Sequence, residues 1–344
     1  MKYSKSIIAI TLTSLLAACG GSDDKPETPE TGVFSLGVSD NPADAKVVNI
    51  AFKQVVLKGN GESLSFDVSE DGELKHVDLL TVQGQEVETL VSGQSIPVGE
   101  YQMCIYMQNS EVADTNSSYV KTMDDMDAGL VTNSNGSCGG FGAEEPGTGR
   151  LFFNKAFTIA AGVNNFVAEF NLSQGLQAPH GNKDYWTLKP TAVQLVNNAE
   201  VGAIHGMIDA SVMADCEAAA GGSEFSPAVY LYPTATALEN MLDFRLEADI
   251  VAPQVAPITS ARVNPVTDET ETVTGYEYEF GFVAAANYSL GYTCLAQNDD
   301  PEVANGADDV EAPFFIHVDE QDVTVTQGTT TERDFEAAAE TPAP

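Results

Sequence analysis

The feature that most constrains this chain is a two-residue alternation of apolar side chains, repeated in short segments along most of its length. Phe34, Leu36 and Val38 share one face, then Val48, Ile50 and Phe52, then Leu64, Phe66 and Val68. Successive side chains of a β-strand point to opposite faces, so this pattern marks strands with one side buried. It recurs at Phe166, Ala168, Phe170 and Leu172, and again at Tyr276, Tyr278, Phe280 and Phe282. No long stretch sustains helical spacing. Clusters of Gly, Asn, Asp and Pro separate the segments, which predicts an all-β chain built from β-sandwiches.

With 344 residues, two sandwich domains are more natural than one. The boundary is expected near 197–201, where Val193-Gln194-Leu195-Val196 gives way to NNAEVG, leaving domains at 32–198 and 201–336. A weak internal echo supports this. Pro97-Val98-Gly99-Glu100-Tyr101 leads into Cys104, and Ala285-Ala286-Asn287-Tyr288 leads into Cys294. Both read as a turn entering a tyrosine-bearing strand held by a cysteine. Residues 337–344 read as a disordered tail.

At the other end, Lys2 and Lys5 precede an apolar run, Ile7 to Leu16, that closes on Leu16-Ala17-Ala18-Cys19. The run is shorter than the ~20 residues a spanning helix needs, and it resembles a lipoprotein signal peptide, residues 1–18, with a lipobox. That resemblance implies cleavage before Cys19 and acylation of its sulfur and new amino terminus, giving lasting membrane attachment. Gly20 following the cysteine favours sorting to the outer membrane. Residues 19–31, which continue GGSDDKPETPET after Cys19, read as a flexible tether.

Assigning Cys19 to lipid leaves four of the five cysteines, an even number suited to an oxidising compartment. Pairing Cys104 with Cys138 and Cys216 with Cys294 keeps each bridge inside one expected domain, at ~3 to 4 kcal/mol apiece by chain entropy. No CxxC pair or neighbouring histidine offers metal spacing. The net charge of −36 falls to about −38 once Lys2 and Lys5 leave with the leader, which disfavours nucleic acid and anionic lipid as partners.

Several segments occur in an order that resembles the domain of unknown function 4382 family, found in bacterial envelope lipoproteins. They are Phe34-Ser35-Leu36-Gly37-Val38-Ser39-Asp40-Asn41-Pro42, Val77-Asp78-Leu79-Leu80, Ile96-Pro97-Val98-Gly99-Glu100-Tyr101 and Leu188-Lys189-Pro190-Thr191. The resemblance covers about 32–197 and implies a sandwich of prealbumin or immunoglobulin type, with no activity or catalytic residues. Residues 201–336 resemble the companion β-domain seen behind that module, through Val229-Tyr230-Leu231-Tyr232-Pro233 and Tyr288-Ser289-Leu290-Gly291-Tyr292-Thr293-Cys294. The Gly136-Ser137-Cys138-Gly139-Gly140 loop is an addition to the family pattern.

Candidate sites are few. Asp67, Ser69, Asp71, Gly72 and Asp78 mimic a calcium loop, but Asp71-Gly72 between strands is a favoured hairpin turn. Asp299, Asp300 and Glu302, with Asp308 and Asp309 beyond, form an acidic loop that reads first as a solvated charge run, with Asp299, Asp300 and Glu302 as candidate ligands for weak calcium binding the alternative. Asp124, Asp125 and Asp127 read as a solvated charge run. His76, His180, His205 and His317 are scattered singly, and no GxSxG, HExxH or GxxxxGK occurs. Trp186 beside Tyr185 is either a core anchor or a sugar-stacking pair. Tyr230 and Tyr232 form either a platform or a second buried face. The leading reading is a non-enzymatic envelope lipoprotein without a cofactor. Its partners are the membrane, through the lipid anchor, and a protein or glycan met by the loops around Cys138 and beyond Cys294. The alternatives are a carbohydrate-binding module using Trp186, and an unrecognised hydrolase.

Overall fold

The computed structural model describes residues 30–41, 45–59, 61–142, 146–153, 155–245, 247–299 and 313–337. The leader, Cys19, Asp300, Glu302, Asp308, Asp309 and nearly all of the tail lie outside them, as does most of the tether.

Most of the alternating segments become strands with the expected side inward. Val68 lies just past Leu64–Asp67, and Leu172 starts a short helix. A register shift turns Phe282 to Val167, Val196 and Val201 while Val283 takes the core. Thr31–Asn41 lies between Gly162–Asn171, to which it runs parallel, and Glu88–Pro97, to which it runs antiparallel. With Val193–Asn197 these make a four-stranded sheet. A ten-stranded sheet is organised around Val47–Gly59 and Gly99–Gln108, which pair antiparallel. Between the two sheets sits one apolar core. Phe34, Leu36, Val38, Phe166 and Phe170 enter it from one side, and Ile50, Phe52, Val55, Met103 and Ile105 from the other. Leu176–Gln177, Trp186–Leu188 and Asp127–Thr132 extend the larger sheet.

Residues beyond Val201 form two further four-stranded sheets. Val201–Met207 pairs with Val273–Ala284, and Ala228–Pro233 with Asn287–Thr293. Ile204, Tyr278 and Phe280 meet Val229, Leu231, Leu290 and Tyr292 across the second core. Tyr230 and Tyr232 point the opposite way, into a separate cluster with Met241, Phe244 and Ile316. Both faces of that strand are therefore buried, which resolves the tyrosine pair as a second packed face.

The two turns of the internal echo, each entering a tyrosine-bearing strand, make the same kind of hydrogen bond. The Tyr101 hydroxyl donates to the Pro97 carbonyl four residues back at 2.9 Å, and Tyr288 donates to Ala284 at 2.8 Å. Each bond ties the strand to the turn that launches it.

One element departs from the sequence reading, which found no sustained helix. Ala210–Ala220 is an eleven-residue helix. Asp209 caps it by accepting from Ser211 N, and Gly221, at φ 71°, ends it. The helix is rich in alanine, the best helix former, so propensity and caps support it while its weak amphipathic pattern conceals it. It buries Val212, Met213 and Cys216 against the second core.

Candidate functional site

The outer face of the ten-stranded sheet carries Val56 and Lys58 from Val47–Gly59, Gln102, Cys104 and Tyr106 from Gly99–Gln108, and Arg150 and Phe152 from Thr148–Phe152. Registered pairs place Lys58 opposite Gln102, Cys104 opposite Val56 and Phe152, and Tyr106 opposite Arg150. Such a face would ordinarily meet water. Here the 133–142 loop folds over it, and Val56, Cys104, Tyr106 and Cys138 form a small apolar cluster with Phe141 and Phe152.

Three kinds of bond hold the loop down. A disulfide joins Cys104 to Cys138, with Cα atoms 6.4 Å apart. The Tyr106 hydroxyl reaches the carbonyls of Gly136 at 3.0 Å and Phe141 at 2.9 Å. Arg150 donates from Nη1 to the Ser137 carbonyl at 2.8 Å and from Nε to Ser134 Oγ at 3.2 Å. Within the loop, Cys138 and Phe141 exchange backbone hydrogen bonds across Gly139 and Gly140. Both glycines have positive φ, 58° and 95°, as a two-residue hairpin turn of this kind requires.

A concavity of about 220 Å³ opens between this loop and the sheet, lined by Lys58, Gln102, Ser137, Gly139, Arg150 and Phe152 among others. The Arg150 guanidinium lies over the Phe152 ring, 5.1 Å from its centroid. A cation there is oriented by the ring's negative face as well as by its hydrogen bonds.

Asp299, the described acid of the segment beyond Cys294, is not a solvated carboxylate. Asp299 accepts from the Tyr230 hydroxyl through Oδ2 at 2.8 Å and from Phe244 N through Oδ1 at 3.0 Å. Burial pushes its carboxyl up to about 8, and nearby Asp243 adds to the rise, against the lowering from Tyr230 and Phe244. Asp243 is itself fully buried and pairs with Arg245, whose Nε donates to it at 2.6 Å. Asp299 is thus a structural hinge-pin between the Tyr230 strand and the 241–245 segment. Asp300 and Glu302, its proposed companions, lie outside the described residues.

Other singled-out residues take local roles. Asp71 and Gly72 adopt positive φ in a turn closed by reciprocal Glu70 and Glu73 backbone bonds. Asp78 accepts from Val48 N and Leu80 N, capping a short 3-10 turn. Asp125 pairs with Lys46 at 2.7 Å, which holds its carboxyl below the usual range. Trp186 is half-buried and packs on the first core, while Lys183 sits over the Tyr185 ring. Among the histidines, His205 lies between Glu332 at 2.9 Å and Glu277 at 3.3 Å, and these partners raise its pKa against partial burial. It borders a cavity of about 240 Å³ where Asp40, Gln83 and Gly84 from the first half face Arg262 and Glu279 from the second. No group of three metal-ligating side chains occurs among the described residues. With Lys58, Tyr106 and Phe152, Arg150 is among the site residues that the sequence reading missed. Its signal was slight: an outward arginine two residues before an outward phenylalanine on a short strand.

Residues 31–190 match the family model described as Domain of unknown function (DUF4382). No curated protein matches the chain at a significant level. Solved structures with some likeness include a candidate cell adhesion protein from Bacteroides fragilis, 10% identical, covering 87% of this chain and 91% of that one at a TM-score of 0.21. Another, from Parabacteroides distasonis, is 13% identical, with 87% and 84% covered and a TM-score of 0.18. The fimbrial anchor protein Mfa2 from Porphyromonas gingivalis is 7% identical, with 78% and 80% covered and a TM-score of 0.17. Overlap at these scores brings no shared function with it.

Proposed function

We propose that this chain, with a domain of unknown function 4382 in its first half, is a non-enzymatic binding protein of the cell envelope. In this reading Cys19 is its lipid anchor and two sandwich domains, 32–198 and 201–336, form its body. Its recognition surface is the 133–142 loop. The observation that carries the reading is the pinning of that loop by a disulfide, a buried tyrosine hydroxyl and an arginine at once. A loop ordered before contact loses little conformational entropy on binding, so its contacts convert more fully into affinity.

A photo-crosslinking residue placed at Ser137 or Gly140, in cells making the full chain, tests this. Discrete adducts at those two positions, absent with the same probe at the remote Gly221 turn, are the expected result. Equal labelling at all three positions, or none at the loop, would overturn the assignment. Palmitate labelling lost in Cys19→Ala tests the anchor separately.

A further inference from the structure

Resting on that reading of the loop, we propose that the cavity beneath it holds a single peptide carboxylate, with Arg150 and Lys58 as the binding cations. The chain carries 51 acidic and 15 basic residues. Against that excess, the cavity is lined, among the described residues, by two cations and no acid. Elsewhere Lys46, Lys75, Lys121, Arg245 and Arg333 each face a carboxylate. Arg150 and Lys58 have no ion pair among the described residues.

Arg150 is also aimed. Its two hydrogen bonds to the loop and its seat on Phe152 fix the guanidinium plane. Of the five N–H groups an arginine carries, roughly three are left, including both on Nη2. That is the edge which takes a carboxylate with paired hydrogen bonds. Lys58, exposed on Val47–Gly59 across the intervening Gly99–Gln108 strand, adds a second charge to the same cavity.

Size and surroundings select the ligand class. At about 220 Å³ the cavity is smaller than the roughly 300 Å³ at which pockets for whole small molecules begin, so it suits a side chain or a chain end. The Phe152 face is taken by Arg150, so it offers no open plane for a sugar ring. A net charge of −36 repels polyanions at long range, which leaves one carboxylate on an otherwise neutral segment.

The test titrates the full mature protein, labelled with nitrogen-15, with two matched pairs of probes. Acetyl-alanine against acetyl-alanine amide reports a chain end, and acetyl-glutamate amide against acetyl-glutamine amide reports an acidic side chain. Saturable shifts at the Arg150 Nε–H and at the Gly139 and Gly140 amides are expected with a carboxylate and not with its neutral twin. The member of the two acids that binds identifies the source. Lys58→Gln, which leaves the loop bonds intact, should weaken that affinity about five-fold, and Arg150→Lys should do so more strongly. No shift at these groups up to tens of millimolar, or equal shifts from acid and amide, would overturn the proposal. Crosslinking at Ser137 that persists in Lys58→Gln and Arg150→Lys would leave the loop as a contact surface and remove the carboxylate from it.

Discussion

The two disulfides are chemically alike and structurally opposite. Cys216–Cys294 lies inside the second core, where both residues are essentially inaccessible, and it fastens the Ala210–Ala220 helix to the Asn287–Thr293 strand's end. Cys104–Cys138 lies on the outside of the first sandwich and fastens a loop to a sheet that is already complete without it. Chain entropy barely separates them: sequence separations of 78 and 34 correspond to roughly 4.5 and 3.8 kcal/mol. What differs is the packing that depends on each bond. One bridge belongs to the stability of its domain, the other to the shape of a surface.

The largest expected effect tests that division at its stronger end. Cys216→Ala with Cys294→Ala should cost about 5 kcal/mol, read as a lowered urea midpoint, because it removes both the crosslink and buried sulfur from the second core. A cost below about 2 kcal/mol would mean that the helix does not rely on the bridge.

Next comes pH. Asp299 holds its proton in the folded state up to about 8, whereas an unfolded carboxyl loses it near 4. Between those values the folded chain binds the extra proton, so stability declines as pH rises, by at most ~1.4 kcal/mol per unit. His205 adds a smaller decline of the same sign, since its raised pKa favours the folded state at pH below its ordinary 6.5 and that contribution is lost as pH climbs through the folded value. The exposed carboxylates held low, Asp67, Asp125, Asp209 and Asp268, act only below their ordinary 3.8. Urea midpoints from pH 5 to 8 should therefore fall, and Asp299→Asn should flatten most of the slope.

Cys104→Ala with Cys138→Ala should cost no more than the roughly 4 kcal/mol of chain entropy, and binding at the loop should suffer more than global stability does. Should it unfold the first sandwich instead, the contrast drawn between the bridges would be lost. The smallest expected effect concerns a feature that the halves share. Tyr101→Phe and Tyr288→Phe each delete one hydroxyl-to-carbonyl bond, at about 1 kcal/mol, and the two costs should agree closely.

Much of this architecture could be read in the sequence because it rests on period and spacing. Phe34, Leu36 and Val38 point inward for the reason their alternation indicates, and the tyrosine turns recur where the echo places them. Strand order was not legible: Thr31–Asn41 runs parallel to Gly162–Asn171, a partner some 130 residues distant, and no local pattern encodes that pairing. The helix escaped because alanine supplies propensity without a stripe. Asp299 looked like part of a solvated acidic run, and only the approach of Tyr230 and the 241–245 segment buries it. Arg150 was hidden by its ordinariness, since its meaning comes from a loop that folds back on it from 13 to 16 residues upstream.

Amide hydrogen exchange before and after mild reduction tests the central claim most directly. In the oxidised protein the Cys138 and Phe141 amides, bonded to each other's carbonyls, should exchange slowly. Gentle reductant should free them, together with the rest of 133–142, while the amides around Cys216 and Cys294 stay protected. Loop amides that exchange fast from the start, or protection lost in both halves together, would contradict a surface staple set apart from a core one.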